Sequence, residues 1–196
     1  MIRVEGDLDR VVVAREGLVD RVVDDLVDEV VELGSQLVAA RKETLALLGP
    51  PFAERAGELG LPEAELRYAG EPPTVAALEA RLERDLERGH TGLGPHLDDV
   101  IVSSGPRDLR SYGSQGEQRL AVLALLLGEA GLIAERRGFP PLLLLDDVLS
   151  ELDPSRRRIL AARVAGAGQA LITATDPSLL PTEPDQLVEV TRGSAR

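Results

Sequence analysis

Val19, Val23, Leu26, Val30, Leu33 and Leu37 recur at alternating spacings of four and three, and no proline interrupts residues 7–48. Such a repeat predicts a long amphipathic helix whose apolar seam packs on another element. Asp20, Asp24, Asp25, Asp28, Glu29 and Glu32 fill the other faces and stay in water. Val22, Val27 and Val31 widen the stripe beyond a two-position seam, while Gly17 and Gly34 weaken the helix locally. A helical hairpin or arm is expected, not a long free coiled coil.

Downstream, "GPPFAERAGELGLPE" predicts the end of that helix, and "AELRYAG" a short strand before the break at Pro72 and Pro73. "TVAALEARLERDLERG" reads as a second helix, capped by Thr74 and stopped by Gly89. "DDVIVSSGPRDLRSY" alternates around "SSGP", the pattern of a hairpin. Ser114 and Glu117 form an S-x-x-E capping box, and Leu120, Leu123, Ala124 and Leu127 continue at helical spacing.

Leu142 to Leu145, ended by Asp146 and Asp147, predict a strand buried on both faces of a parallel sheet, with the acids at its carboxyl end where α/β proteins bind ligands. "LDPSRRRILAARVAGAG" is a helix with Asp153 as N-cap and Pro154 at its first position, "QALITAT" a further buried strand, and "QLVEV" an edge strand. The expected class is α/β, a strand–helix–strand layer at 91–196 preceded by a helical arm at 1–90.

At 196 residues and 43% apolar content the chain can bury a real core. It has no cysteine, which excludes disulfides and thiolate metal sites and favours a reducing compartment. No apolar run approaches the roughly 20 residues that span a bilayer, and the opening residues lack a signal-peptide pattern, so no membrane association and a cytoplasmic location are expected. A net charge of −12 argues against a basic surface that grips nucleic acid unaided.

Two stretches carry candidate chemistry. An apolar strand ending in acid suits a hard cation such as Mg²⁺, with Asp146 as the metal-side acid and Asp147 orienting or deprotonating a water. By itself "LLLLDD" is equally compatible with a buried strand that ends in two polar residues. In "SQGEQR" the helix N-terminus offers free N–H groups and partial positive charge, Gly116 lets a phosphate approach, and Ser114 can donate a further bond. An isolated S-x-x-E is far more often a plain helix cap.

Together these pieces say more. "GPHLDD", "DLRSYGSQGEQRLAVLAL", "LLLLDDVLSELD" and "ITATD" occur in that order between Thr91 and Asp176. The set resembles the C-terminal half of the RecF family, the SMC-related ABC-type ATPases of bacterial DNA replication and repair, and the preceding helices are compatible with that family's arm. The resemblance implies an ABC-ATPase-like layer that binds ATP and Mg²⁺. It implies a signature motif at Ser114, Gln115, Gly116, Glu117 and Gln118, a Walker B pair at Asp146 and Asp147, and a D-loop carrying Ser150 and Asp153.

It further implies an ATP-dependent homodimer in which the signature meets the partner's γ-phosphate, binding to DNA at single-strand/double-strand junctions, RecR and RecO-type mediators as partners, and a place in the SOS response. Thr173 and Thr175 stand where many ABC proteins carry a switch histidine. The chain departs from the family at Leu97, where a basic residue is usual, and at Glu117, where glutamine is usual.

A P-loop needs a lysine after a glycine-rich turn, and the single lysine, Lys42, lies inside the first helix with no glycine run before it. The chain is therefore expected to be the C-terminal part of such an ATPase, inactive alone, with Walker A on another lobe. Two rivals stand beside this reading: a non-catalytic interaction module, and a head fragment of another SMC-type protein.

Overall fold

The computed structural model describes the backbone of residues 8–166, 168–191 and 194–195, and the side chains of residues 23–166 and 168–190. The chain separates into two compact units, one formed by residues 1–45 and 68–100, the other by 46–67 and 101–196.

Helix α1 (Leu8–Glu58) enters both units. In the first unit its buried stripe is Gly34 and Val38, flanked by half-buried Val27, Val31 and Arg41. A Cβ on Gly34 would lie 2.6 Å from Pro73 Cγ, so glycine is required for this close approach. Most of the expected seam lies on a different face: Leu26, Val30, Leu33 and Leu37 are exposed, Val23 is half-buried, and Val19 falls outside the described side chains. Arg41 donates to Pro95 O at 2.5 Å and to Tyr68 Oη at 3.3 Å, and Tyr68 donates to Asp98 at 2.5 Å. The anticipated second helix is two, α2 (Val75–Glu79) with Thr74 as N-cap and α3 (Leu82–Arg88) closed by Gly89 at φ +73°.

In the second unit α1 runs on through Pro50 and Pro51, past the end expected there. Each proline deletes a helical hydrogen bond, at a cost of about 3 kcal/mol. Phe52, Ala56 and Leu59, spaced four and three apart and at most 1% exposed, offset that loss by joining the main core. Strands β1 (Ala64–Ala69), β2 (Asp99–Ser104) and β3 (Arg107–Asp108) form a sheet in that order. The β2–β3 hairpin turns at Gly105, φ +56°, and Pro106, as "SSGP" requires.

After α4 (Leu109–Tyr112), helix α5 (Gln115–Arg137) lays Leu120, Leu123, Ala124 and Leu127 into the core. Each fully buried leucine there contributes about 1.5–3 kcal/mol. Strand β4 (Leu143–Leu145), helix α6 (Pro154–Ala165) and strand β5 (Ala170–Ile172) follow, with β4 and β5 parallel and Leu143, Leu144 and Leu145 facing Ala170, Leu171 and Ile172. This is the strand–helix–strand layer that the pattern predicts.

The burial of β4 is one-sided, contrary to expectation. Leu143 and Leu145 are buried, whereas Leu144 is 65% and its neighbour Leu171 62% exposed. Nothing among the described residues covers that face. The expected edge strand is confined to β6 (Val190–Thr191), which pairs with β7 (Ser194–Ala195) and not with β5.

Candidate functional site

The sequence places Ser114 where α5 begins, and the geometry is a complete capping box. Ser114 Oγ accepts the Glu117 N–H at 3.2 Å, and the Ser114 N–H donates to Glu117 Oε2 at 2.8 Å. Arg107 holds the other carboxylate oxygen at 2.8 Å. The Arg107 guanidinium, followed by the Ser114 N–H, lowers the Glu117 pKa to about 2. The charge of this residue is thereby absorbed within the chain.

Gln118 plays a different part. Its side-chain amide donates to the carbonyls of Leu109, Arg110 and Gly113, tying the end of α4 to the start of α5. Gln115 and Gly116 are exposed, and a Cβ on Gly116 would meet nothing closer than Ser114 Oγ at 4.0 Å. The first N–H groups of a helix have no partner within it. Those of Glu117 and Gln118 are taken by Ser114 Oγ and Ser114 O, which leaves those of Gln115 and Gly116.

At the carboxyl end of the parallel pair, Asp146 follows β4 and Thr173 follows β5. The Thr173 hydroxyl donates to Asp146 Oδ1 at 2.5 Å and accepts the Asp147 N–H at 3.0 Å, so one side chain holds the Asp146 carboxylate and the Asp147 backbone. Asp147 has φ +46°, in the left-handed region that costs a non-glycine residue energy. Ser150 Oγ donates to Asp147 O at 2.8 Å, closing the loop after the strand. Asp153 caps α6 by accepting the N–H groups of Ser155 and Arg156 at 2.9 and 3.0 Å, and the Arg156 N–H is the first cause of its lowered pKa.

The two halves of this region are joined by an ion pair between Arg119, in the second turn of α5, and Glu151, in the loop between Ser150 and Asp153. The pairing of Arg119 with Glu151 is a tertiary contact that neither motif shows by itself. Thr173 was named only for its place in the chain; its bridging role depends on the register of β4 and β5. The arginines near the site are occupied internally: Arg107 by Glu117, Arg156 by Asp153 and Leu59 O, and Arg157 by Leu149 O.

The site fits the groups that the sequence suggests. Among the described residues no three carboxylate or imidazole groups converge as a metal cage. Mg²⁺ characteristically takes one or two carboxylates, filling its other positions with water and phosphate oxygen, which is what exposed Asp146 and Asp147 offer. The start of α5, with free N–H groups, an open Gly116 and a neutralised Glu117, suits a phosphate.

This layer of helices around a parallel strand pair that ends in acids has the fold of solved RecF structures. No family profile matches the chain. The DNA replication and repair protein RecF of Anaeromyxobacter dehalogenans strain 2CP-C is 42% identical over 171 residues, 78% of this chain and 46% of the relative. RecF of Myxococcus xanthus is 39% identical over 186 residues, 85% of this chain and 49% of the relative. A solved RecF–ATP structure from the RecFOR pathway superimposes with a TM-score of 0.74 at 25% identity, over 90% of this chain and 50% of that one. The chain belongs with the RecF family and corresponds to the C-terminal portion of its members, spanning about half the length of the curated relatives it matches. No helix among the described residues is long and apolar enough to cross a membrane.

Proposed function

We propose that the chain is the C-terminal part of a RecF-like, ATP-dependent DNA-binding protein of replication and recombinational repair, contributing signature, Walker B and D-loop to an ATP site shared within a homodimer. The observation that carries this is the Thr173 bridge, which holds the Asp146 carboxylate and the Asp147 backbone at the carboxyl end of β4 while Arg119–Glu151 links that end to the start of α5.

Each residue has a part in this reading. Asp146, with one oxygen held by Thr173, keeps the other for Mg²⁺, which when bound supplies charge neutralisation at phosphate oxygens. Asp147 orients a water and takes its proton. Ser114 Oγ, already accepting from Glu117, keeps its own proton to donate to a phosphate, alongside the N–H groups of Gln115 and Gly116. Gln118 positions that cap, and Ser150 and Asp153 shape the D-loop at the dimer contact.

The arm at 1–90 and the layer at 91–196 are the functional division of this reading. DNA junctions and RecR and RecO-type mediators are its partners and the cytoplasm its place, by kinship with RecF. The lysine that reaches β- and γ-phosphates must come from the other half, because Lys42 is committed to α1 and pairs with Glu71. Fusing the chain to the amino-terminal half of the Myxococcus xanthus relative tests this: Mg-ATP turnover that disappears in Asp146→Ala supports it, and turnover that survives excludes it.

A further inference from the structure

Leu26, Val30, Leu33 and Leu37 form an apolar stripe on α1, each between 42% and 55% exposed, running alongside the packed stripe of half-buried Val27 and Val31 and buried Gly34 and Val38. At about 100° per residue the two stripes lie roughly a quarter-turn apart. Exposed Asp25, Glu29 and Glu32 border the other side of the exposed stripe. One edge of the face is thus packed protein, and the other carries three acids, with Gln36 as a neutral neighbour that donates to Glu32. Four large aliphatic side chains in register over three turns are more than scattered surface apolarity.

The charges select among occupants. A second copy would set its own Asp25, Glu29 and Glu32 against these, within a chain of net charge −12. Like charges across an interface are costly and opposite charges favourable, so the matching surface is a helix with an apolar stripe and a basic flank. The chain spans 49% of the Myxococcus xanthus relative, so about half of such a protein is available to supply that helix.

We infer that the Leu26–Leu37 stripe is the seat of an amphipathic, basic-flanked helix carried by the half of the longer protein that this chain does not span. The contact is apolar in the middle and electrostatic along one edge. It needs no nucleotide, so it stands apart from the ATP site.

Overlapping 20-residue peptides covering the unmatched half of the Myxococcus xanthus relative, each carrying a fluorophore, are titrated with the purified chain and followed by anisotropy. Binding is expected from peptides that combine an apolar helical stripe with Lys or Arg on its flank. The double variant Leu26→Asp/Leu33→Asp should weaken it at least tenfold, and Glu29→Lys/Glu32→Lys, which leaves the stripe intact, should weaken it several-fold and make it less salt-dependent. All four positions are exposed, and unchanged circular dichroism melting of both variants shows that the fold is kept. The inference is overturned if no peptide binds, if acidic-flanked peptides bind equally, if the variants bind like the parent, or if sedimentation shows the stripe pairing with a second copy.

Discussion

Arg107 grips Glu117 at 2.8 Å from the strand before α4, so the carboxylate at the third position of α5 faces back into its own capping box. A carboxylate left free at a helix N-terminus would repel a phosphate; this one is neutralised locally and leaves the first N–H groups of the helix electrostatically open. The departure from glutamine at this position is thereby compatible with an anion site.

That pairing has a pH signature. The folded-state pKa of Glu117 is lowered from 4.5 to about 2, chiefly by Arg107, so its contribution to stability is present in full above 4.5 and is lost as pH falls from there towards 2. The melting temperature of the chain should fall more steeply across that window than that of Glu117→Gln, measured by circular dichroism. Parallel pH profiles would remove Glu117 from the acid response.

Two glycines of α5 should respond in opposite ways. A Cβ at Gly128 would lie 3.1 Å from Phe52 N and 3.3 Å from Pro51 C, so Gly128→Val should destabilise the chain by about 1–3 kcal/mol in denaturant titration. Gly116 faces open space, and Gly116→Ala should leave stability unchanged or raise it by up to about 1 kcal/mol. In the protein completed with its amino-terminal half, the same alanine should slow ATP turnover, because nothing inside the fold requires glycine there and an approaching phosphate does. Normal turnover would assign Gly116 to neither role.

Thr173→Val keeps the shape of the side chain and deletes both bonds to the acid pair. It should lower turnover of the completed protein by an order of magnitude or more while nucleotide binding persists. Asp147→Asn should do the same, since it retains the shape and removes the candidate base. The isolated chain, with no P-loop lysine, should hydrolyse no ATP. Steady-state kinetics beside nucleotide-binding titrations check all three.

What the sequence revealed tracks how local each feature is. The Ser114 capping box, the Asp153 cap, the Gly105 turn and the parallel strands are encoded within a few residues, and each stands where the pattern predicts. The face of α1 was misread because its buried stripe is organised by a glycine, Gly34, pressed against Pro73, which hydropathy does not register. The outer face of β4 was misread for another reason: four leucines signal burial, and the layer that would cover Leu144 is absent from the described residues. The Thr173 bridge spans 26 residues and exists only through the strand register.

The central claim is that the cap of α5 faces a nucleotide held by a second subunit, and Ser114→Arg tests it most directly. A two-fold axis would set each cap opposite the other subunit's phosphates, and arginine would place bulk where the phosphate must approach. Sedimentation of the completed protein with and without ATP should show that the variant no longer dimerises with ATP while the monomer still binds it. If Ser114 is only a helix cap, the variant should lose about 1 kcal/mol of stability and still dimerise normally with ATP, and that result would contradict the account.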